Sequence, residues 1–219
     1  DGLKITLDRA LEKDHVGEGE YRSEVANLSR NIIIESADPD GARGHTMYHL
    51  NSTGGLSYVE FRHLGKEAVL GKYPVHFHLV RDSMRGAAAI GLSIWDSHNR
   101  FMAIHGTDYL LIRDCVGYQS VGHGYFLEDG TEQYNILDRN LAVQAKRGKP
   151  LPGQVLGFDQ NEGSGFWWAN GRNTLTRNVA CENYHYGYRF EIGKIHGQPP
   201  VLSLKQPDGS MADKDVRRI

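Results

Sequence analysis

GKYPVHFHL, residues 71–79, is a short strand-like run in which His76 and His78 are separated by one residue. Side chains two residues apart on a strand point to the same face, so the two imidazoles stand side by side. Val75 and Phe77 then point the other way, towards a core. The run predicts a strand with an apolar inner face and a histidine-bearing outer face.

Strands of this kind recur along the chain from Met47 onward, at intervals of roughly 20 to 40 residues, a spacing typical of repeat architectures. One set comprises LSYVEFRHLG (56–65), IGLSIWDSHN (90–99), LLIRDCVGYQ (110–119), NILDRNLAVQ (135–144) and NTLTRNVACE (173–182). Between them lie YPVHFHL (73–79), RFMAIHG (100–106), GYFLEDG (124–130), GFWWANG (165–171) and GYRFEI (187–192). The repeating unit is therefore strand, corner, strand, corner.

This pattern favours an all-β fold, a right-handed parallel β-helix. No window keeps a helical period of 3.6 residues, and the corners carry Asp, Asn and Ser rather than the Asn-Gly turns of hairpins. Stacked coils would bury their inward residues against one another. We expect corner residues to stack into ladders, namely Asn99, Asp114, Asp138 and Asn178. The outer face would then carry histidines from successive coils along one groove.

Three regions follow from these boundaries. Residues 1–36 are expected to be the end of a preceding β-rich domain, with strands at Leu3 to Leu7 and Asn31 to Ile34. Residues 37–192 would form the β-helix. One coil carries an insertion at 145–164, whose Gly, Pro and charged residues are typical of a surface loop. Residues 193–219 are expected to be an irregular tail or the start of a further element.

Composition limits the classes of function. The chain has 219 residues, a formal net charge of −2 and two cysteines. It has no basic stripe, so nucleic-acid binding is unsupported, and no apolar run approaches the roughly 18 residues of a membrane span. Cys115 and Cys181 are expected to be buried free thiols on separate coils. Because the chain begins with Asp1 rather than Met, we expect it to be part of a larger polypeptide.

Several long segments resemble the cell-migration-inducing hyaluronidase and transmembrane-protein-2 family, which also includes the fibrocystin-like proteins. EVANLSRNIII is similar to the end of the G8 domain that precedes the β-helix in that family. The other matching segments are similar to its parallel β-helix repeats. The segments are EVANLSRNIII (24–34), GKYPVHFHLVRD (71–82), SIWDSHNRFMAIHGTDYLLIRDCVGYQSVGHGYFLEDGTEQ (93–133) and GFWWANGRN (165–173).

The resemblance implies an extracellular or cell-surface protein that cleaves or binds hyaluronan or a related acidic polysaccharide. The chain departs from the animal pattern in having Trp95-Asp96 where a His-rich pair is expected. It also has Phe101 and Gly124 where cysteines are expected. The compactness of the chain and its few cysteines suggest a bacterial relative.

The candidate catalytic residues are acids and bases on neighbouring coils. Hydrolysis of a glycosidic bond needs two carboxyl groups. Glu128 and Asp129 are the first candidates for one of them, with Asp129 preferred, and Asp96 or Asp114 on neighbouring coils could supply the other. Only one of these adjacent residues should face the groove, unless the corner at Gly130 turns both outward. His105 or His123 could instead act as a base. Elimination next to a uronate carboxylate would then use Arg100 to neutralise charge.

The same histidines permit metal chemistry. His76, His78 and His105 could bind a divalent ion such as zinc or calcium, with imidazole a usual ligand of zinc. Ordinary hydrogen-bonded groove histidines are the alternative. Sugar-stacking or carboxylate-binding roles are hypothesised for a further set, whose members could equally fill the core or pair with acids: Trp95, Trp167, Trp168, Tyr125 and Arg189. An enzyme, a glycan-binding module and a structural metal site all remain open.

Overall fold

The computed structural model describes residues 4–15, 17–191, 201–205 and 210–215. Within them the chain winds as a parallel β-helix with three stacked sheets. Sheet 1 contains β1 (Ile32–Glu35), β3 (Val59–Arg62), β6 (Ser93–Ser97), β9 (Val116–Val121), β12 (Leu141–Lys146) and β15 (Val179–Cys181). Sheet 2 contains β2 (Leu56–Ser57), β5 (Ala88–Ile90), β8 (Leu111–Arg113), β11 (Ile136–Asp138) and β14 (Thr174–Thr176). Sheet 3 contains β4 (Val75–Arg81), β7 (Met102–Thr107), β10 (Tyr125–Leu127), β13 (Phe166–Trp168) and β16 (Tyr188–Phe190).

The fold class predicted from the repeat is confirmed. Each full coil contributes one strand to each sheet, and all neighbours within the three sheets pair in parallel, in the order in which the coils follow along the chain. Ile112 pairs with Leu137, 25 residues on, and Leu137 pairs with Leu175, 38 residues on. The longer interval contains the inserted loop. A short 3-10 helix, Asp82–Met84, follows β4.

The core fills the space between the sheets with inward-facing apolar side chains. Val75 and Phe77 are buried there, as the alternation along β4 predicts. The buried rings of Tyr125 and Phe166 and the exposed ring of Tyr188 stack on successive coils, with ring centroids 4.9 and 5.0 Å apart. Fully burying a side chain such as Phe166 stabilises the fold by about 1.5–3 kcal/mol. Each buried inward position therefore adds to the stability of the stack.

Asparagines at the corners join consecutive coils. The Asn140 Nδ2–H donates to Asn178 Oδ1 at 3.0 Å and to the Ile112 carbonyl at 3.0 Å. Asn135 and Asn173 make the equivalent contact at 3.1 Å. Buried corner backbone groups need such partners, so these ladders close the ends of the sheets.

The four corner residues expected to form ladders behave differently from one another. Asn178 lies in a ladder, whereas Asn99 donates to backbone carbonyls of the preceding coil. Asp114 pairs with Arg139, and Asp138 pairs with Arg113 and Arg177. The acidic corners are thus held by ion pairs between coils.

The inserted loop, residues 147–165, covers part of the outer face of sheet 3. Its Leu151 and Leu156 pack on Ala103, Phe126 and Trp167, forming a second, smaller apolar cluster. The insertion begins two residues later than expected, because β12 extends to Lys146. It is a covering layer rather than a solvated surface loop.

The regions outside the β-helix are less regular. The expected strand at Asn31 to Ile34 is present as β1, but it pairs with β3 and so belongs to the stack. Residues 4–7 form no strand, and Leu3 lies outside the described residues. In the expected tail, β17 (Val201–Lys205) and β18 (Met211–Asp215) form an antiparallel pair. Apart from these two strands and Ser210, residues 193–219 lie outside the described residues. In the described part of the chain no helix is long and apolar enough to cross a membrane.

Candidate functional site

A column of polar side chains runs along the uncovered part of the outer face of sheet 3. The register pairs His78 with His105 on the next coil. On the other side of His78 lies the exposed ring of His49, with ring centroids 5.1 Å apart. Alternation along β4 places His76 on the same face, where it is fully buried. The predicted same-face histidines therefore converge at an edge that solvent can reach.

His76, His78 and His105 form one cluster, which we call the histidine cluster. One ring nitrogen from each lies within 4.8 Å of the others. The Nδ1 atoms of His78 and His105 are 3.1 Å apart. The spacing of about 4.8 Å between coils brings such side chains together, and the register of β4 and β7 shifts only after His78.

His76 keeps one ring nitrogen unused. Its Nδ1 donates to the Gly71 carbonyl at 2.9 Å, which leaves a lone pair on Nε2. The Nε2 atom is buried and has no hydrogen-bond partner among the described residues. Burial, followed by the charge of His105, lowers the pKa of His76 to about 2. The ring is therefore a neutral base aimed into the cluster.

Glu128 completes the cluster from the next coil. Its Oε1 accepts from the Tyr73 hydroxyl at 3.3 Å. Its Oε2 lies 3.7 Å from His76 Nε2 and 3.8 Å from His105 Nδ1, with no hydrogen bond in the described structure. Burial raises the pKa of Glu128, although the positive charges of His105 and Arg100 oppose the shift. Glu128 therefore holds a proton to a higher pH than an ordinary carboxyl group does.

Asp129, the acid preferred from sequence, has its oxygens engaged. Its Oδ1 accepts from the Thr131 amide at 2.8 Å and from the Thr131 hydroxyl at 2.5 Å. Its Oδ2 lies 3.2 Å from His105 Nε2. Burial opposes ionisation, but the hydrogen bond and charge of His105 lower the pKa of Asp129. Asp129 therefore orients His105 and is not poised to transfer a proton to a ligand.

Both acids contact His105 because the strand ends just before them. β10 stops at Leu127, and Gly130 has a φ of +78°, a left-handed conformation that favours glycine. The turn sends Glu128 towards His105 Nδ1 and Asp129 towards Nε2 of the same ring. Burial lowers the pKa of His105, but the charges of Glu128 and Asp129 outweigh it and raise that pKa overall.

The structure places His123 and Arg100 beneath the inserted loop; Arg100 also lies 5.8 Å from the centre of the Tyr73 ring, behind Glu128. His123 Nε2–H donates to Asp159 Oδ1 at 2.7 Å, and His123 Nδ1 accepts from the Ser164 amide at 3.0 Å. Arg100 donates to Asp159 Oδ2 at 3.2 Å and lies 3.6 Å over the ring of Phe126. Both are fully buried, so neither faces a groove. Asp159 was not identified from sequence; its position among the apolar residues of the loop was the available signal.

Of the expected sugar-binding aromatic residues, Tyr125 lies in the core and Trp167 lies beneath the inserted loop. Their ring faces are occupied by neighbours, which is incompatible with stacking on a sugar at the surface. Trp95 is on sheet 1 and donates to Glu60 at 3.0 Å. These three rings do not share a surface with the histidine cluster.

The two remaining expected contacts lie at the far end of sheet 3. Trp168 is half-buried against Phe190, with ring centroids 5.5 Å apart. Arg189 is half-buried and forms ion pairs with Glu162 and Glu191. A ligand role for either is a prediction, separated from the histidine cluster by the coils that the inserted loop covers.

Comparison with known proteins gives one consistent result. The family model described as CEMIP beta-helix matches residues 41–199. The human protein named cell surface hyaluronidase CEMIP2 is 35% identical over 82% of this chain, which spans 16% of that protein. The human cell migration-inducing and hyaluronan-binding protein is 32% identical over 85% of this chain and 17% of its own length.

A mouse protein named Fibrocystin-L is 30% identical over 99% of the chain, which covers only 6% of that protein. The chain thus spans a small part of each of these relatives. The family resemblance seen in the sequence segments is confirmed by the family model and by these relatives. The chain belongs to the CEMIP beta-helix family.

Proposed function

We propose that this chain cleaves an acidic polysaccharide of the hyaluronan type at the histidine cluster, with Glu128 as the proton-transfer group and a divalent metal ion, of the zinc type, held by His76, His78 and His105. The observation that carries the proposal is the pair of buried, unpartnered atoms His76 Nε2 and Glu128 Oε2, 3.7 Å apart.

The donor set fits a zinc-type ion better than calcium. Three imidazole nitrogens within 4.8 Å of one another match the nitrogen ligands that zinc prefers, whereas calcium takes six to eight oxygens. Metal-bound histidines usually donate their other ring N–H to a carbonyl or carboxylate. His76 does so to Gly71, and His105 faces Asp129. When bound, such an ion acts as a Lewis acid on a substrate oxygen.

Glu128 supplies the proton chemistry. Its hydrogen bond from Tyr73 fixes one carboxyl oxygen, and the other faces the histidine cluster. Because burial raises its pKa, Glu128 can donate a proton to a leaving oxygen or accept one from water or from a sugar carbon. Asp129 is held by His105 and Thr131, so the second carboxylate of the usual hydrolase pair is not offered by this turn.

The substrate class and the location rest on relatives. Two of them carry the names cell surface hyaluronidase CEMIP2 and cell migration-inducing and hyaluronan-binding protein. We extend to this chain an extracellular or cell-surface location and a partner that is an acidic polysaccharide. Hydrolysis and elimination give different products: new reducing ends alone, or new reducing ends together with unsaturated uronate.

The test incubates the protein with high-molecular-mass hyaluronan, and separately with chondroitin, with zinc and after chelation. We expect chain shortening that requires the metal and that His78→Ala abolishes. Glu128→Gln should retain zinc but lose cleavage. His98→Ala is the matched control, because His98 is half-buried on another part of the surface.

Two outcomes contradict the assignment. Unchanged cleavage in both His78→Ala and Glu128→Gln would place the chemistry elsewhere. Loss of zinc in Glu128→Gln would make Glu128 a ligand rather than the proton-transfer group.

A second candidate function is binding of hyaluronan without cleavage. The printed name of the human hyaluronan-binding relative favours it. The same incubation separates the two: retention of the intact polysaccharide on immobilised protein, with no shortening at any metal concentration, would support binding alone.

A further inference from the structure

Glu132 closes the turn that carries Glu128 and Asp129. Its side chain is fully buried. Oε1 accepts from the Gly106 amide at 2.8 Å and from the Asp129 amide at 3.2 Å. Oε2 accepts from the Gly130 amide at 2.9 Å. One carboxyl group therefore satisfies three backbone N–H groups from two coils.

These contacts replace a missing part of a β-ladder. The last regular bond between β7 and the following coil runs from the Glu128 amide to the Ile104 carbonyl at 3.0 Å. In a parallel ladder the next two bonds would use the Gly106 and Gly130 amides. Both amides donate instead to Glu132, one to each oxygen. The Glu132 side chain thus ends the backbone pairing between the two coils directly after the Glu128 amide.

Stopping the ladder there has a direct effect on the histidine cluster. If the strand continued, adjacent residues would face opposite sides of the sheet, and only one of Glu128 and Asp129 could reach His105. With the chain turned away after Leu127, Asp129 Oδ2 lies 3.2 Å from His105 Nε2. The contact needs the turn, and the turn is held by Glu132.

We propose that Glu132 is a positioning residue: it holds the Asp129 turn so that Asp129 accepts the His105 Nε2–H and the His105 Nδ1 lone pair faces the histidine cluster. The effect of Glu132 on metal affinity rests on the proposed function, whereas its effect on the orientation of His105 is independent of that function.

The three backbone hydrogen bonds that Glu132 accepts do not depend on its charge. Burial, followed by the charge of Asp129 and a hydrogen bond between the two carboxyl groups, raises the pKa of Glu132, and the amide of Gly106 opposes this shift. Carboxyl oxygens accept N–H bonds in the protonated and the ionised form. The two coils therefore stay joined in either state.

The test compares Glu132→Gln with wild type. The amide keeps one acceptor oxygen and puts an NH₂ group in the place of the other, so at least one of the three backbone bonds is lost. Glu60→Gln is the matched control: Glu60 is also buried and accepts a backbone amide, from Arg30 at 3.0 Å, but it lies on sheet 1. If Glu132→Gln does not fold, Glu132→Asp is measured instead, because its shorter side chain cannot span both coils.

The first measurement uses metal-free protein. Nitrogen-15 chemical shifts of the His105 ring, at a pH where the ring is neutral, report which nitrogen carries the proton. We expect the Nε2–H form in wild type and in Glu60→Gln, and a mixture of the two forms in Glu132→Gln. The second measurement is zinc titration, for which changes in residues that orient a ligand typically cost about 10- to 100-fold in affinity.

Each result has one meaning. An unchanged His105 proton position together with zinc affinity within threefold of wild type would overturn the role of Glu132. A shifted proton position in a protein whose wild type binds no zinc would support the role of Glu132 and remove the metal from the proposed function.

Discussion

Two buried histidines on the outer face of sheet 3, His76 and His123, have opposite surroundings. His123 uses both ring nitrogens: one donates to Asp159 and the other accepts from Ser164. His76 uses one, and its Nε2 is left without a partner among the residues described. Both rings are fully buried, and burial lowers the pKa of each.

The difference shows that burial and a shifted pKa do not by themselves identify a reactive histidine. The hydrogen bonds of His123 hold the inserted loop against the sheet, so neither of its ring nitrogens is available to a ligand. His76 has a lone pair directed at a carboxyl group and two further imidazoles. A buried polar atom without a partner costs about 1–3 kcal/mol, and a ligand that removes this cost is the simplest explanation for keeping it.

The largest expected effect is the loss of stability when Asp159 is removed from beneath the inserted loop. Asp159→Ala leaves Arg100 and His123 buried without their partner. Loss of one member of a buried ion pair typically costs about 3–5 kcal/mol, and we expect that loss in urea unfolding. Zinc affinity should remain within threefold of wild type, because Asp159 does not contact the histidine cluster. A large loss of zinc affinity in a folded variant would mean that the two regions are one site.

The converse change breaks the histidine cluster. His76→Ala removes a proposed ligand, so zinc affinity should fall by more than the roughly 10- to 100-fold caused by residues that only orient ligands. His123→Ala should leave zinc affinity unchanged while lowering stability. Isothermal titration of both variants with zinc separates the two histidines, and equal losses would contradict the comparison.

In metal-free protein, the dependence of stability on pH should show that His76 and His123 are neutral in the folded state. Because the folded protein keeps His76 and His123 neutral, while unfolded histidines titrate near pH 6.5, the unfolded chain binds more protons below that pH. Each of these two rings therefore lowers stability as the pH falls below about 6.5, by at most about 1.4 kcal/mol per pH unit. Glu128 and Glu132, whose pKa values are raised, act in the opposite direction, because the folded protein holds their protons to a higher pH than the unfolded chain does. The stability that His105 contributes through its raised pKa is already present below pH 6.5.

His123→Gln should remove one of these two slopes, which urea unfolding at pH 7, 6 and 5 in a chelating buffer would measure. A variant with the wild-type slope would show that His123 is not neutral in the fold.

The smallest expected effect is that of removing a charge far from both the histidine cluster and the contacts of Asp159. It gives the baseline change in unfolding free energy. Arg139 and Asp114 form an ion pair at a corner, with side chains 53% and 32% exposed. Pairs of this kind contribute about 0–1 kcal/mol. Asp114→Asn should therefore change the unfolding free energy by no more than this, with zinc affinity unaltered. A larger loss of unfolding free energy would indicate that the ion pairs at the corners contribute substantially to the stability of the β-helix.

The sequence predicted the β-helix and the meeting of three histidines, because both follow from spacing. A period of two places His76 and His78 on one face, and stacking of coils brings His105 beside them. It did not predict which acid would be free. Which acid is free depends on where β10 ends and on the backbone contacts of Glu132. Glu132 was not among the residues that the sequence patterns identified. Nor did it predict that the inserted loop would cover Trp167 and engage His123, since the partner, Asp159, lies 36 residues further along.

The inserted loop leaves the register unchanged on both sides: Ala142 still pairs with Ala180, and Phe126 with Trp167. Chain length at this corner is therefore uncoupled from the geometry of the coils. Segments of different length can therefore be exchanged at this corner without a change in the pairing of the coils on either side. Loop grafting here would alter the covered face of sheet 3 and leave the scaffold of the β-helix as it is.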